Sequence, residues 1–205
     1  MNTLPEDQLS VGMIIPNTQA EGPGKRFALW VQGCPMRCAG CCNPEYLEFT
    51  QNNIQSVDDV FAQVQKSHQE HQIEGVTFLG GEPFSHAQPL AALAKRVQDI
   101  GLTVMIFTGY SLKSLKRSEK PGVAQLLATT DLLVDGPFIQ SRLDKERRWI
   151  GSTNQTPYDL TGAYKELVDN WDTSPETLEI RIVNGKLVVN GSPFLIDKLG
   201  RKQHI

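Results

Sequence analysis

All four cysteines of the chain lie in one short stretch, Gly33-Cys34-Pro35-Met36-Arg37-Cys38-Ala39-Gly40-Cys41-Cys42-Asn43. Cys34, Cys38 and Cys41 have the spacing C-x3-C-x2-C and follow an apolar, strand-like run. Soft thiolate sulfurs select zinc, copper(I) or iron–sulfur clusters rather than hard cations. The stretch therefore predicts a metal site, and we call it the cysteine loop.

The number of thiols that can bind a metal helps to distinguish a zinc site from an iron–sulfur cluster. A structural zinc site is closed by four ligands, but Cys42 directly follows Cys41, and adjacent residues rarely turn both side chains onto one ion. Three thiolates suggest a four-iron cluster with one iron open to an outside ligand, since cysteine thiolates hold such clusters. A zinc knuckle, or three reduced cysteines near a turn, is the alternative. We expect Cys42 to be a small buried hydrophobe.

Composition excludes several functional classes. The chain has 205 residues, which fits one domain, and its 20 basic and 23 acidic residues give a net charge of −3. This balance argues against a nucleic-acid partner. No apolar run is long enough to span a membrane, and residues 1–10 are too polar for a signal peptide. Clustered rather than dispersed cysteines predict a cytoplasmic protein.

Strand and helix patterns alternate along the first two thirds of the chain. Apolar runs predict strands over 26–32, 75–79, 102–107 and 131–134, with helices from Ser56, around 90–97 and over 123–128. This alternation favours a parallel sheet with right-handed crossovers. Because the chain is shorter than the roughly 250 residues of a full eight-fold barrel, we predict an α/β fold with a partial, open β/α barrel.

Polar or glycine-rich motifs follow three of these strands. They are Gly80-Gly81-Glu82-Pro83, Thr108-Gly109 and Asp135-Gly136. Each alone is typical of a tight turn, but their shared position at strand ends is where α/β folds place their sites. The two glycines would let the backbone approach a ligand closely, and Glu82 could accept a hydrogen bond from a cationic amine.

The last third of the chain has a different character. Residues 139–175 are polar, and residues 178–189 predict a β-hairpin with an Asn-Gly turn at 184–185. We expect residues 1–160 to form the core with its N-terminal segment and the cysteine loop. Residues 161–205 would be a C-terminal extension within the same compact unit.

Taken together, the cysteine loop and Gly80-Gly81-Glu82-Pro83 resemble the radical S-adenosylmethionine (SAM) superfamily. The chain is most similar to the activating enzymes of anaerobic ribonucleotide reductase, which are glycyl-radical activases. This closer resemblance covers roughly residues 12–156. Its further motifs are Gly22-Pro23-Gly24, Arg26, Gly40-Cys41-Cys42-Asn43, Thr108-Gly109-Tyr110, Asp135-Gly136-Pro137-Phe138 and Gly151-Ser152-Thr153-Asn154-Gln155.

The chain departs from that family pattern at three places. Ile150 stands where an arginine is expected, Cys42 stands where an aromatic residue is usual, and the last 45 or so residues are an addition. These departures bear on the protein partner and leave the cofactor chemistry unaffected.

The resemblance implies specific site residues. Cys34, Cys38 and Cys41 would hold a [4Fe-4S] cluster whose open iron is chelated by the amino and carboxylate groups of SAM. The SAM ammonium would be held by the motif Gly80, Gly81, Glu82 and Pro83. Thr108 and Asp135 are candidate contacts to the ribose or the methionyl part. No catalytic side chain is expected beyond the cluster ligands.

The resemblance also implies an activity. One electron from the reduced cluster would cleave SAM to methionine and a 5′-deoxyadenosyl radical. That radical would oxidise a glycine of a glycyl-radical enzyme, most simply the large subunit of anaerobic ribonucleotide reductase. Cluster potentials reach about −700 mV, so flavodoxin or ferredoxin would supply the electron. Two alternatives stay open, namely a radical SAM enzyme acting on a small molecule, similar to carboxydeazaguanine synthase, and a non-catalytic metal-binding module.

Overall fold

The computed structural model describes residues 4–183, 185–192 and 195. A seven-stranded sheet with the order β3-β1-β2-β4-β5-β6-β7 organises these residues. The strands are β1 Gln8–Thr18, β2 Arg26–Val31, β3 Ile54–Ser56, β4 Gly75–Gly80, β5 Thr103–Phe107, β6 Leu132–Asp135 and β7 Thr156–Asp159.

The centre of the sheet is parallel, as predicted. Strands β2, β4, β5 and β6 pair in parallel, and they match the four predicted strands. The sequence predicted no strands at the edges, where β1 and β7 run antiparallel to their inner neighbours and β3 runs antiparallel to β1. The reason at the first edge is the short connection over residues 19–25, since a parallel pair needs a crossover of about a dozen residues or more.

The helices lie between the central strands, and one lies after β7. They are α1 Val57–His71, α2 Ala87–Asp99, α3 Leu112–Leu115, α4 Val123–Ala128 and α5 Lys165–Asp169. The predicted start of α1 is confirmed, because Ser56 Oγ accepts a hydrogen bond from the Asp59 backbone N–H at 3.0 Å. Among the described residues, no helix is both long and apolar enough to cross a bilayer.

The two faces of the sheet are covered by different parts of the chain. Side chains alternate along a strand, so Leu29 of β2 packs in the large core that includes α1 and α2, whereas Trp30 lies in a separate cluster. Val188 of the C-terminal hairpin packs against that second cluster. Helices therefore cover one face, and C-terminal segments contribute to the cover of the other.

The C-terminal hairpin was predicted correctly. Its strands are β8 Leu178–Val183 and β9 Lys186–Gly191, which pair antiparallel. Asn184 of the predicted turn lies outside the described residues. The hairpin joins the end of β1, because Asn190 Nδ2 donates to Thr18 Oγ1 at 3.0 Å and Arg181 donates to the Asn17 carbonyl at 2.6 Å.

Glu21 should make the stability depend on pH. Its carboxylate is buried and accepts a hydrogen bond from Asn190 at 3.2 Å, and burial raises the pKa of Glu21 to about 7 from the usual 4.5. The folded state then binds the proton more tightly than the unfolded chain, so stability falls as the pH rises from 4.5 to 7.

The wild type should lose roughly 2–3 kcal/mol of unfolding free energy between acid and neutral pH, and Glu21→Gln, which cannot ionise, should not show that loss. Urea titrations at pH 5 and pH 7.5 would measure this, with exposed Glu119→Gln as the control. Equal pH slopes in the wild type and Glu21→Gln would contradict it.

A buried arginine ties the extension to the sheet. Arg26, at the first position of β2, is fully buried and donates to Thr77 Oγ1 at 2.7 Å and to the Tyr164 hydroxyl at 3.0 Å. The same hydroxyl lies 2.7 Å from Thr103 Oγ1. Tyr164 therefore anchors the start of the C-terminal extension beneath β2 and β5.

Removing that anchor should destabilise the fold. Tyr164→Phe deletes the hydroxyl that Arg26 contacts, and a hydrogen bond to a charged group contributes about 1.5–3 kcal/mol. Chemical denaturation should show a loss of that size. Tyr158→Phe is the matched control, because the Tyr158 hydroxyl makes no hydrogen bond within the described part of the chain. Equal losses in both variants would show that the Arg26 contact contributes nothing specific.

Candidate functional site

The cysteine loop begins where β2 ends. Its base is fixed by two backbone hydrogen bonds, from Gly33 N–H to the Tyr46 carbonyl at 2.8 Å and from Cys34 N–H to the Leu47 carbonyl at 3.0 Å. Cys34 is buried, whereas Cys38 and Cys41 are partly exposed, and no disulfide joins any of the four cysteines. The predicted ligands therefore share one loop at the carboxyl edge of the sheet.

The arrangement of the thiols fits a cluster better than a single ion. Cys34 and Cys38 each lie within electrostatic range of Cys41, and burial raises the pKa of the Cys34 and Cys38 thiols. Within the described residues, no three His, Cys, Asp or Glu side chains converge closely enough to hold one metal ion. A [4Fe-4S] cluster takes each thiolate on a different iron, so it accommodates thiols that are spread over a loop.

The glycine pair before Glu82 packs directly on the cysteine loop. Gly81 N–H donates to the Val31 carbonyl at 2.8 Å, and Glu82 N–H donates to the Gly33 carbonyl at 2.9 Å. A Cβ on Gly81 would lie 2.4 Å from the Gly33 carbonyl oxygen, so this approach requires glycine. The two predicted motifs thus form one junction at the ends of β2 and β4.

The carboxylate of Glu82 is buried and held by three donors. Its Oε1 accepts from Phe84 N–H at 2.9 Å and from Thr108 Oγ1 at 2.8 Å, and its Oε2 accepts from Gly109 N–H at 2.8 Å. Burial raises the pKa of Glu82 to about 7. A carboxylate has about four lone-pair sites, so a cationic ligand could still be accepted at Oε2.

Thr108 and Asp135 both have partners within the fold. Besides donating to Glu82, Thr108 Oγ1 accepts from Tyr110 N–H at 3.1 Å. Asp135 Oδ2 accepts from Leu112 N–H at 2.6 Å and so holds the start of α3. The structure therefore brings Thr108 to Glu82, whereas Asp135 links the ends of β5 and β6.

The segment after β6 is clamped by Gln155 and Asn154. Gln155 Oε1 accepts from Gly151 N–H at 2.9 Å, and its Nε2 donates to the Gly136 carbonyl at 3.0 Å. Asn154 Nδ2 donates to the Pro137 carbonyl at 2.8 Å. The clamped loop reaches the cysteines, because the Phe138 backbone hydrogen-bonds the Cys38 thiol. These side chains explain the Gly-Ser-x-Asn-Gln motif, whose role sequence reasoning missed.

Two departures from the family pattern have clear structural outcomes. Ile150 is buried and packs in a cluster with Met105, Leu132 and Val134, so the position expected to be arginine is part of the apolar core. The expectation that Cys42 is a small buried hydrophobe was wrong, because Cys42 is exposed and its thiol hydrogen-bonds the thiol of Cys41.

Arg147 and Arg148 each form an ion pair with an acidic side chain. Arg147 Nε donates to Asp144 Oδ2 at 2.7 Å, and Arg148 forms an ion pair with Asp172 at 3.1 Å. The spacing of Asp144 and Arg147, three residues apart, is the sequence signal that could have predicted the first pair.

The zinc alternative would draw on a histidine, and His86 and His68 each contact a backbone carbonyl. His86 Nε2 lies 2.8 Å from the Gln32 carbonyl, and His68 Nδ1 lies 3.1 Å from the Ile73 carbonyl. Each histidine keeps a second ring nitrogen, but within the described residues neither joins a group of three His, Cys, Asp or Glu side chains that could hold an ion.

Comparisons with known proteins agree with an iron–sulfur site at the cysteine loop. A family model described as a 4Fe-4S single cluster domain matches residues 20–157. The chain is 31% identical over 154 residues to the anaerobic ribonucleoside-triphosphate reductase-activating protein of Vibrio cholerae, covering 71% of this chain and 95% of the relative. It is 30% identical over 148 residues to the protein of the same description from Escherichia coli K12, covering 68% of this chain and 91% of the relative.

The crystal structure of QueE from Escherichia coli has a TM-score of 0.43 and 22% identity, and the match covers 50% of this chain and 53% of that one. This limited likeness does not decide the fold. The family assignment follows from the iron–sulfur family model and from relatives matched over more than nine-tenths of their length. The chain belongs to the family of anaerobic ribonucleoside-triphosphate reductase-activating proteins, which are radical SAM glycyl-radical activases with a [4Fe-4S] domain.

Proposed function

We propose that this chain cleaves SAM reductively in order to generate a glycyl radical on the large subunit of an anaerobic ribonucleotide reductase. The observation that supports this proposal most directly is the hydrogen bond from Glu82 N–H to the Gly33 carbonyl at 2.9 Å. It places a buried carboxylate beside the loop that holds the three predicted ligand thiols. The names of the relatives support the choice of partner.

In this proposal Cys34, Cys38 and Cys41 hold the [4Fe-4S] cluster. When bound, the cluster supplies the electron that breaks a carbon–sulfur bond of SAM. Glu82 binds the SAM ammonium through Oε2, which accepts one hydrogen bond within the fold, and the close backbone approaches of Gly80 to Trp30 and of Gly81 to Gly33 hold that carboxylate beside the cysteine loop. Pro83 follows Glu82 and starts the 3-10 turn Pro83–His86, whose Phe84 N–H orients the carboxylate.

Thr108 and Asp135 take supporting roles. Thr108 fixes the rotamer of Glu82 through its 2.8 Å hydrogen bond, and Asp135 holds the backbone at the start of α3. Either side chain also keeps oxygen lone pairs that can accept a hydrogen bond from the ribose or the methionyl part of SAM.

We further propose that the parallel strands β2, β4, β5 and β6 form a partial, open β/α barrel. The helical crossovers between them and the motifs at their carboxyl ends support this architecture. Residues 1–160 would be the radical SAM core, and residues 161–205 an extension of the same unit. The Arg26 contact with Tyr164 and the Asn190 contact with Thr18 support a single unit.

We also propose a cytoplasmic location, a protein electron donor and no nucleic-acid partner. Four clustered cysteines without a disulfide support a reducing cytoplasmic location. A low-potential protein such as flavodoxin or ferredoxin would supply the electron, and the net charge of −3 supports the absence of a nucleic-acid partner.

The test is anaerobic. The protein is reconstituted with iron and sulfide, reduced and mixed with SAM, and 5′-deoxyadenosine is quantified. Addition of an anaerobic ribonucleotide reductase large subunit should then produce a glycyl-radical signal in electron paramagnetic resonance. A protein with a full cluster that makes no 5′-deoxyadenosine, with or without the reductase, would overturn the proposal.

A further inference from the structure

Positive charge is concentrated at one part of the chain. Residues 108–122, which follow β5, contain four basic residues and one acidic residue. Residues 136–155, which follow β6, contain four basic residues and two acidic residues. These two segments thus carry a surplus of five positive charges in a chain whose net charge is −3. Both segments lie at the carboxyl edge of the sheet, beside the cysteine loop.

The cations of the first segment are exposed and unpaired. We define the basic face as Lys113, Lys116, Arg117 and Lys120, all of which are exposed. None of them takes part in an ion pair with another described residue, although Lys66 on α1 and Lys95 on α2 each pair with an acid four residues later. The positive field of the basic face is therefore not neutralised locally.

The basic face adjoins the site. Lys120 Nζ lies 5.9 Å from the centre of the Tyr110 ring. Tyr110 N–H donates to Thr108 Oγ1, which in turn donates to Glu82. Lys113 and Lys116 line a shallow surface cavity of about 360 Å³ together with Leu112, Arg117 and Tyr158. A series of contacts, from Lys120 to Tyr110 to Thr108 to Glu82, thus links the basic face to the buried carboxylate.

We propose that the basic face is the docking surface for an acidic one-electron donor protein that reduces the cluster. This inference rests on the proposed function, since that function creates the need for an electron. In the transfer, the donor is oxidised by one electron and the cluster is reduced by one, with no bond formed or broken.

The character of the surface favours a transient redox partner over a stably bound one. Electron-transfer encounters are small interfaces, and complementary charge increases their association rate without requiring a large apolar contact. The large apolar side chains exposed in the described residues are Phe49, Leu143, Ile180, Ile182 and Leu187, and none lies in residues 108–122. The basic face therefore offers charge without an apolar centre.

The test compares two reductants. Stopped-flow absorbance follows anaerobic cluster reduction by flavodoxin hydroquinone, an acidic protein donor, and by photoreduced 5-deazaflavin, which is small and uncharged. Lys113→Glu/Lys116→Glu should slow reduction by flavodoxin about tenfold or more at low ionic strength. The deazaflavin rate should be unchanged. Added salt should slow the wild type more than the variant, because the wild type has more attraction to screen.

Lys66→Glu/Lys95→Glu is the matched control, since it changes the net charge by the same amount on α1 and α2. Equal slowing in both double variants, or an unchanged flavodoxin rate in the first, would overturn the inference. Slowing with both reductants, repeated in Lys113→Ala/Lys116→Ala, would also overturn it, because the effect would then lie in the cluster site.

Two further readouts separate this inference from the proposed function. Glycyl-radical yield after deazaflavin reduction should be the same in the wild type and Lys113→Glu/Lys116→Glu. A lower yield in the variant would show that the basic face docks the radical acceptor, which overturns the donor assignment. If reduction is normal but SAM is not cleaved, the proposed function fails while the reduction rates still decide the docking surface.

Discussion

Cys38→Ala is expected to abolish cluster assembly and to reduce 5′-deoxyadenosine production to background. Two thiolates leave two irons of a [4Fe-4S] cluster without protein ligands, and such clusters are held by cysteine sulfur. Cys34→Ala and Cys41→Ala should behave in the same way. The measurement is iron and sulfide content with visible absorbance after anaerobic reconstitution.

The neighbouring thiol provides the matched control. Cys42 is exposed, and the proposed cluster needs only the other three thiols, so Cys42→Ala should retain the iron content and SAM cleavage of the wild type. If Cys42→Ala lost the cluster as completely as Cys41→Ala, the ligand assignment would be wrong.

Glu82→Gln should weaken SAM binding roughly 10- to 100-fold, because a hydrogen bond to a charged group contributes about 1.5–3 kcal/mol. The amide also brings an NH₂ group towards Gly109 N–H or Thr108 Oγ1, both of which now donate to the carboxylate. Iron content should stay normal, since the cysteine loop keeps its own backbone hydrogen bonds. Equilibrium binding of SAM to the reconstituted protein measures the change.

The pH dependence of SAM binding gives a second readout for Glu82. Its pKa is about 7 because the carboxylate is buried, and only the ionised form attracts an ammonium. Wild-type affinity should therefore increase as the pH rises through 7, and Glu82→Gln should lose that dependence. Glu45→Gln, at an exposed position whose carboxylate forms no ion pair with another described residue, should bind SAM like the wild type. Unchanged affinity in Glu82→Gln would remove Glu82 from the site.

The central sheet could be predicted because its strands are buried on both faces. Strand β2 is buried at every position from Arg26 to Val31, and such strands read as continuous apolar runs. The motifs after β2, β4 and β5 were found for a related reason, since parallel strands bring their carboxyl ends to one edge.

The edges of the sheet and the contacts of the site could not be predicted in this way. Strand β7 is short and half exposed, and its pairing with β6 is set by contacts distant in sequence. The donors to Glu82 at Thr108 and Gly109 lie 26 and 27 residues further along the chain. The exposure of Cys42 likewise depends on the conformation of the whole loop. These features follow from tertiary packing and leave no local pattern.

The close contact of Gly81 with Gly33 has a consequence for the order in which the cofactors load. The backbone that carries the thiols and the backbone that carries Glu82 touch without an intervening side chain, so neither can shift alone. In the proposed site, assembly of the cluster and capture of SAM would therefore be coupled, and any such coupling is reciprocal, because each ligand changes the affinity for the other by the same factor. A favourable coupling would weaken SAM binding to protein that has not yet assembled its cluster.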